Sequence, residues 1–173
     1  MSGFPCPVCG RTVRRSARGR PRKIVCPRCR YRLHDYPRPC AGMVVVKGDT
    51  TLMLVRAHEP RKGRLDTPGG FIEAGESIEG AARRELLEET GLRVGRVTWL
   101  GFYWDRYYLK GFGYLPTMNF YYLARWRSGT PRPSDDAATA TWMPIAALHE
   151  QRARFSWKHM DRLFRDVKRA MRR

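Results

Sequence analysis

The sequence lacks the features that would place the chain in a membrane or outside the cell. None of its 173 residues belongs to an apolar run approaching the roughly 20 residues that a membrane-spanning helix needs. The first residues, Met1 to Cys6, have no basic segment followed by an apolar stretch, so a secretory signal is not expected. These absences favour a cytoplasmic protein without a membrane partner. We also find no internal repeat.

Acidic residues are scarce: 16 stand against 34 basic residues, and the formal net charge is +18. The excess lies at the two ends, because segment 1–40 carries +10 and segment 151–173 carries +7, whereas 41–150 carries only +1. Basic ends of this kind attract polyanions such as RNA. A solvated arginine-rich surface without a specific partner explains the same charge, since arginine supplies 28 of the 34 basic residues. Both interpretations stay open.

The length and composition fit one ordinary domain with a small appendage. Domains commonly have about 100–150 residues, and a hydrophobic content of 42% is enough for a packed core. Pro37 and Pro39 precede a clear change of composition. We therefore predict a small unit at 1–38 and a larger domain at 39–173.

Cysteines are few, and four of the five stand in two pairs. The pairs are Cys6 with Cys9 and Cys26 with Cys29, with sixteen residues between them. This spacing predicts a structural Zn²⁺ site, because each pair can form a tight turn and two turns complete a tetrahedron of sulfurs. Two disulfides and a redox site are the alternatives, and neither fits a chain without export signals or a βαβ pattern. Cys40 and His34 lie outside the spacing and are expected to be structural.

Periodicity and turn residues predict a mixed sheet between helices, an α/β (α+β) fold. Strands are predicted at 43–46 and 52–55, on either side of a turn at Gly48-Asp49, and at 94–104, 117–126 and 138–143. A helix is predicted at 77–90, with Ser77 as its N-cap and Gly91 after its end. A second, amphipathic helix is predicted at 156–171, and a loop or short hairpin at 10–25.

The first helix carries a cluster of carboxylates. Glu85 lies three and four residues before Glu88 and Glu89, so all three side chains point to one side, and Ile78, Ala82 and Leu86 mark the inward face. Such oxygen-rich clusters suit Mg²⁺ or Mn²⁺. Arg84 can hold Glu88 in place at a spacing of four residues. Taken alone, the three glutamates favour a solvated acidic face with an ion pair over a metal site.

The spacing of the whole stretch decides between these interpretations. Residues 70–92 resemble the Nudix box, G-x5-E-x7-R-E-U-x-E-E-x-G-U with U apolar. The nine fixed positions are Gly70, Glu76, Arg84, Glu85, Leu86, Glu88, Glu89, Gly91 and Leu92. The resemblance extends over about 40–150, and the paired cysteines resemble a zinc ribbon found ahead of some family members, including NADH pyrophosphatases. It implies a Nudix-like α/β/α sandwich and a diphosphatase activity.

The resemblance implies a role for each position. Glu85 and Glu89 are expected to bind the principal Mg²⁺ or Mn²⁺ ion, with Glu88 as a further ligand or as the general base, and Gly70 to add its backbone carbonyl. Glu76 and Arg84 are expected to orient the loop and the carboxylates. Relatives place the base variously, and Asp135, Asp136 and Asp105 are the alternatives to Glu88.

The stretch 102–108 is densely aromatic and is the predicted contact for substrate. Trp104 and Tyr108 are candidates for stacking on a base, and Arg106 for contacting phosphate. Packing within the sheet is the alternative role for such rings. The motif that NADH pyrophosphatases carry after the box has no counterpart here, so the exact substrate stays open.

Three functions follow. The first is hydrolysis of a small nucleotide-derived substrate, a nucleoside diphosphate linked to another group, of the ADP-ribose or dinucleotide type. The second is pyrophosphohydrolysis at the 5′ end of RNA held by the basic ends. The third is a non-catalytic zinc-ribbon module that binds nucleic acid. The resemblance also allows a homodimer, because many such domains are dimers.

Overall fold

Two small hairpins precede the large sheet. The computed structural model describes residues 3–14, 23–34, 36–110 and 113–172. Strand β1 (Gly3–Pro5) pairs antiparallel with β2 (Thr12–Arg14), and β3 (Lys23–Val25) pairs antiparallel with β4 (Arg32–His34). A Cys-x-x-Cys turn joins the strands of each hairpin. Part of the loop predicted at 10–25 lies outside the described residues.

Seven strands form the mixed sheet that the sequence predicts. They are β5 (Arg38–Lys47), β6 (Thr50–Arg56), β7 (Leu65–Asp66), β8 (Gly69–Phe71), β9 (Val97–Leu109), β10 (Gly113–Arg125) and β11 (Ala137–Pro144). The main order is β11-β6-β5-β10-β9, while β7 pairs with β6 and β8 with β5. The pair β5–β10 is parallel and the others are antiparallel.

Helices cover both faces of this sheet. Helix α1 (Ile78–Thr90) shares a buried cluster with Met43 and Val45 of β5, whereas α2 (Met160–Ala170) and a 3₁₀ helix (Ala147–Arg154) share another with Val44 and Val46. Residues 43–46 are therefore buried without interruption, as in a strand covered on both sides. The α/β/α sandwich is confirmed. No helix in the described part of the chain is long and apolar enough to cross a membrane.

The predicted elements are present, but several bounds differ. Strands β5 and β10 begin earlier than predicted, at Arg38 instead of 43 and at Gly113 instead of 117. The strand predicted at 94–104 is β9, which begins at Val97 and extends to Leu109, because its pairing with β10 continues to the end of the hairpin.

Helix α2 begins at Met160 instead of 156. Before it, Phe155 bridges to Leu65 and the Ser156 N–H donates to the Leu65 carbonyl (2.8 Å), so this segment is held against β7.

Candidate active site

Local chemistry sets where α1 begins and ends. The Ser77 hydroxyl accepts a backbone N–H of the first turn (3.0 Å), and Gly91 adopts a φ of 68°, a left-handed conformation that glycine takes without strain. Ala82 and Leu86 are fully buried, as predicted for the inward face. The adjacent face of the helix carries the carboxylates and lies against segment 69–76, which comprises β8 and the loop after it and is called the loop below.

Arg84 is the centre of an ion-pair network on this face. Its guanidinium donates to both carboxylate oxygens of Glu76 (2.7 and 3.0 Å), to Glu85 (2.8 Å), to Glu88 (2.9 Å) and to the carbonyl of Phe71 (3.0 Å). The hydrogen bonds from Arg84 are the main reason that the pKa of Glu76 is lowered to about 2. The predicted pairing with Glu88 is present, but the pairing with Glu76 is the bidentate one. Arg84 thus fixes the loop on the helix.

Two glycines bring the loop backbone onto the carboxylates. The Gly69 N–H donates to Oε2 of Glu89 (2.9 Å). A Cβ on Gly70 would lie 2.6 Å from the carboxyl carbon of Glu85, so only glycine lets the backbone approach this closely. Both glycines belong to β8, which pairs with β5 in the sheet. The sheet therefore determines the distance between the loop and α1.

Burial makes these carboxylates difficult to ionise without a cation. Glu89 is 5% exposed, and its pKa is raised to about 9, first by burial and then by the carboxylates of Asp66, Glu85 and Asp136. Burial is also the main reason that the pKa of Glu85 is raised. A bound divalent cation reverses this effect, because it favours the charged carboxylate.

The donor set fits such a cation. Carboxylate oxygens are ligands that Mg²⁺ and Mn²⁺ prefer, and those of Glu85 and Glu89 lie against the backbone of Gly70 and Gly69 respectively. The space that a Cβ on Gly70 would fill is left to the Glu85 carboxylate. The Arg84 guanidinium bridges Glu85 and Glu88, so the cluster already holds one positive charge. The residues present therefore fit a divalent metal ion here.

A cavity lies beside Gly70 on the α2 face of the sheet. Its volume is about 100 Å³, smaller than the roughly 300–1,000 Å³ of pockets that enclose a whole drug-sized ligand. It can therefore hold one end of a ligand. Phe71, Tyr107 and Trp157 form an aromatic wall: the rings of Tyr107 and Trp157 are stacked at 5.6 Å, and Phe71 meets Tyr107 edge-on at 5.3 Å.

Charged groups are fixed at the bottom of this cavity. Arg56 and Asp66 form a buried ion pair (3.2 Å), and the indole N–H of Trp157 donates to the same Asp66 oxygen (2.8 Å). Asp136 also lines the cavity, and its carboxylate lies 3.8 Å from the Arg56 guanidinium. Since Asp66 also lines the cavity next to the glycine loop, its contacts link the aromatic wall to the carboxylate cluster.

The structure places the predicted substrate contacts elsewhere. Trp104, Arg106 and Tyr108 are exposed and lie on the face of β9 opposite Tyr107, because side chains alternate along a strand and the β9–β10 register is regular there. They do not line the cavity. A contact with substrate would require a ligand that extends to the α1 face of this hairpin.

The three alternative bases lie at different places. Ser134 donates its N–H to the Glu89 carbonyl (3.1 Å), so the loop with Asp135 and Asp136 lies against the end of α1. Asp105 does not line the cavity, and its Oδ2 accepts hydrogen bonds from the backbone N–H and the ring of His159. Of the three, the Asp135-Asp136 loop is the one near the carboxylate cluster.

Several residues that line or flank the cavity carry no clear signal in the sequence. Arg56 and Asp66 were not singled out, since each stands alone in a strand or loop without a motif. Trp157 and His159 were assigned to a helix, and the turn before α2 removes them from it. The alternation of β9 was the available signal for Tyr107, although alternation does not say which face carries the cavity.

The four cysteines form a second potential metal centre. Their sulfurs all lie within 4.8 Å of one another, with 3.6 Å between Cys6 and Cys29 and between Cys9 and Cys26. A tetrahedral zinc ion with Zn–S bonds of about 2.3 Å requires sulfurs about 3.8 Å apart, so the arrangement fits. The Cys29 N–H is the main cause that lowers the pKa of the Cys26 thiol to about 6, which favours the thiolate that binds metal.

Each cysteine pair stands in the same turn. Gly10 donates its N–H to the Cys6 carbonyl (2.9 Å), and Arg30 donates to the Cys26 carbonyl (3.0 Å). Both residues have a positive φ, 71° and 60° respectively. The two turns, twenty residues apart, are thus a structural repeat that the sequence analysis did not detect.

Comparisons with known proteins agree with this geometry. A family model of the NUDIX domain matches residues 36–165. The NAD-capped RNA hydrolase NudC of Pseudomonas aeruginosa is 32% identical over 148 residues, which cover 83% of this chain and 48% of that protein. An ADP-ribose pyrophosphatase of Methanocaldococcus jannaschii is 39% identical over 74 residues, 43% of this chain and 44% of that protein. The chain spans about half the length of these relatives.

A solved structure has the same fold. A NUDIX hydrolase from Nitrosomonas europaea superposes with a TM-score of 0.67 and 24% sequence identity, covering 78% of this chain and 90% of that one.

Proposed function

Because this chain belongs to the Nudix hydrolase family, we propose that it hydrolyses the diphosphate bond of a nucleoside diphosphate linked to another group, of the ADP-ribose or dinucleotide type. The observation that carries the proposal is the contact of the loop glycines with Glu85 and Glu89, directly beside a cavity with an aromatic wall. The similarity to an ADP-ribose pyrophosphatase and to NudC supports this substrate class.

We assign the residues as follows. Glu85, Glu89 and the carbonyl of Gly70 would hold Mg²⁺ or Mn²⁺, with Glu88 as a further ligand or as the base. A bound divalent ion lowers the pKa of water and offsets charge on the phosphoryl oxygens. Arg84 and Glu76 keep the loop on the helix, so the Gly70 carbonyl and the two glutamates stay together.

The cavity takes one end of the substrate. The aromatic wall of Phe71, Tyr107 and Trp157 offers stacking for a flat ring, and base–aromatic stacking contributes about 1–3 kcal/mol per base. Arg56 and Asp66 lie below this wall and present fixed polar groups to the ring edge. The diphosphate would then extend over Gly70 toward α1.

The test is turnover of ADP-ribose and NADH with Mg²⁺ or Mn²⁺, with the products identified. Glu89→Gln should abolish turnover while the protein stays folded. Glu79→Gln is the matched control, because Glu79 lies on the same helix but pairs with Arg83. An unchanged rate in the Glu89 variant would remove the catalytic assignment of Glu89. A wild-type protein without turnover of any of these substrates would instead favour the non-catalytic nucleic-acid-binding module.

A second candidate, hydrolysis at the 5′ end of capped RNA, is favoured by a basic rim beside the cavity. The rim comprises the exposed side chains of Arg61, Lys62, Arg152, Arg154 and Lys158. Arg64 joins its two segments by donating to the carbonyls of Ala153 (2.6 Å) and Phe155 (3.4 Å). Within the described ranges none of the five rim cations has an ion pair, whereas Arg162, Arg165 and Arg169 of α2 all pair with aspartates.

Salt dependence separates the two candidates. Each phosphate contact with a single strand contributes about −0.7 to the slope of log K against log salt. Replacing Arg61 and Lys62 by glutamine should therefore flatten the slope for capped RNA by about 1.4 and leave ADP-ribose hydrolysis unchanged. Arg93 and Arg96 are the matched control, because they are far from the cavity. They precede the start of β9, and the cavity residue Tyr107 lies about 34 Å further along that strand. An unchanged slope in the rim variant would exclude this role of the rim.

We also propose that the four cysteines hold one structural Zn²⁺ in a ribbon at 1–38, ahead of a Nudix domain at 39–173. The sulfur distances support the ion. The start of β5 at Arg38 and the family match from residue 36 support the division. The ribbon has no open ligand position, so its expected role is stability.

A further inference from the structure

Four hydrogen-bonded side chains form a chain that ends at the cavity: Thr67, Tyr121 and His159 are buried, Asp105 is partly buried, and Thr67 and Tyr121 line the cavity. Oδ2 of Asp105 accepts the ring Nδ1–H of His159 (2.9 Å) and the His159 backbone N–H (3.0 Å). His159 Nε2 is hydrogen-bonded to the hydroxyl of Tyr121 (3.2 Å), which also accepts the Thr67 hydroxyl (3.2 Å). Each residue comes from a different element, so the chain connects β9, the turn before α2, β10 and the loop before β8.

Asp105 determines which ring nitrogen of His159 donates a hydrogen bond and which faces Tyr121. Burial acts to raise the pKa of Asp105, but hydrogen bonds from the His159 ring, from the His159 backbone and from the Arg106 N–H outweigh it and leave the pKa below its usual value. The carboxylate is therefore ionised and can only accept, which requires a proton on His159 Nδ1. The ring is thereby fixed with Nε2 toward Tyr121.

Tyr121 is fixed from its other side as well. A Cβ on Gly42 would lie only 3.0 Å from two carbons of the Tyr121 ring, so the ring fills the space that a side chain on β5 would occupy. The His159 ring packs against it with centroids 5.5 Å apart. Tyr121 lines the cavity together with Thr67 and Asn119. The ring of Tyr121 is thus fixed by packing against Gly42 and His159, and its hydroxyl is fixed by hydrogen bonds to His159 and Thr67.

We propose that Asp105 and His159 are positioning residues that hold the Tyr121 hydroxyl as a polar contact for the end of the substrate that enters the cavity. The inference rests on the proposed function, because it assigns this cavity to substrate. With the phenol proton donated to His159 Nε2, the Tyr121 oxygen can only accept from a ligand. The chemistry that suits the contact is a hydroxyl or amino group at the edge of a nucleoside, which donates one hydrogen bond to the phenol oxygen. Asp105 and His159 act through Tyr121 and not on the reacting atoms.

The first test is a double-mutant cycle of Asp105→Asn and Tyr121→Phe, read as KM and kcat for ADP-ribose. Loss of one neutral hydrogen bond should raise KM about three- to ten-fold in Tyr121→Phe, with kcat changed less than about three-fold. Asp105→Asn should raise KM to a similar extent, because an amide can donate as well as accept and no longer requires the proton on His159 Nδ1. The double variant should match Tyr121→Phe alone, since both changes remove the same contact.

Tyr103→Phe is the matched control. Tyr103 is a buried tyrosine on the neighbouring strand, and its ring also stacks on His159 (5.9 Å), but its hydroxyl donates to Asp166 of α2. Its KM should stay unchanged. Three results would each overturn the positioning role. The first is an equal rise of KM in Tyr103→Phe, and the second is an unchanged KM in Tyr121→Phe. The third is a double variant in which the effects of the two substitutions on KM multiply.

A spectroscopic measurement tests the arrangement without turnover. In protein labelled with ¹⁵N-histidine, one imidazole N–H, on Nδ1 of His159, should be protected from solvent exchange and should disappear in His159→Gln. Protection should be lost in Asp105→Asn and kept in Tyr103→Phe. An unprotected His159 in the wild-type protein would contradict the arrangement. A wild-type protein that hydrolyses no nucleoside diphosphate derivative would instead contradict the proposed function.

Discussion

Gly70 and Glu85 leave no space between them for a side chain. A Cβ on Gly70 would lie 2.6 Å from the carboxyl carbon of Glu85 and 2.8 Å from its Oε2. Gly70→Ala should therefore displace either the loop or the carboxylate by several tenths of an ångström. Because a misplacement of about 1 Å can reduce a rate on the order of 100-fold, we expect this smaller displacement to lower kcat by roughly 10- to 100-fold.

The control for this change is Gly95→Ala. A Cβ there would meet only the end of Arg127, at 3.8 Å, which is ordinary contact. Its kcat should equal that of the wild type, and both variants should unfold near the wild-type temperature. Wild-type kcat in Gly70→Ala would show that the close approach of loop and helix is not needed for turnover.

Glu76 should make the free energy of unfolding depend on pH in the acidic range. Its pKa is lowered from 4.5 to about 2 in the folded state, chiefly by hydrogen bonds from Arg84. A depressed folded pKa contributes stability that is complete above pH 4.5 and is lost as the pH falls toward about 2. Glu76→Gln should thus lower the unfolding temperature at pH 7 and flatten its pH dependence between these values.

Glu73→Gln is the comparison for the Glu76 measurement. Glu73 lies in the same loop, is exposed, and contacts Glu76 through its backbone N–H, which the substitution keeps. Its thermal unfolding curve should follow the wild type at every pH. If Glu76→Gln also followed the wild type, the pairing with Arg84 would contribute nothing to stability.

The parts of the fold that depend on neighbouring residues could be predicted from the sequence. Ser77 and Gly91 signal the ends of α1 because each satisfies backbone groups of its own helix. Strands β7 and β8 were missed because they have two and three residues and pair with β6 and β5 through the sheet, which no local pattern reports.

The candidate site likewise has one part that could be predicted from the sequence, the carboxylates of α1, and one part that could not, the cavity. The fixed spacing of Glu85, Glu88 and Glu89 on one helix is local, and the helical period alone brings them together. The cavity depends instead on which face of β9 receives the segment 155–159, and that is decided by the contacts of Ser156 and Trp157 with β7. Alternation made Tyr107 and Tyr108 equivalent in the sequence, and only the packing distinguishes them.

Zinc content is a direct test of the cysteine cluster. Protein purified under reducing conditions should contain close to one zinc per chain, and Cys26→Ser should lose it, because a hydroxyl is a poor substitute for a thiolate ligand. Cys40→Ser should keep the full zinc content, since Cys40 lies at the cavity and not in the cluster. Wild-type protein without zinc would remove the assignment.

The role of Glu88 can be separated from that of a metal ligand by the dependence of rate on magnesium. Glu88 is about half exposed, and its hydrogen bond from Arg84 occupies one oxygen, so the other is available to a water molecule. A general base contributes typically about 10²–10⁴-fold. If Glu88 is the base, Glu88→Gln should lower kcat within this range, and saturating Mg²⁺ should not restore it. Recovery at high Mg²⁺ would assign Glu88 as a ligand instead.

Asp135→Asn and Asp136→Asn complete this comparison, because their loop is the other source of a carboxylate near α1. Asp136 lies 3.8 Å from Arg56 and lines the cavity. Its substitution should therefore affect KM more than kcat, and that of Asp135 should affect neither by more than about ten-fold. A loss of kcat in either variant as large as that in Glu88→Gln, and equally insensitive to Mg²⁺, would move the base from the helix to this loop.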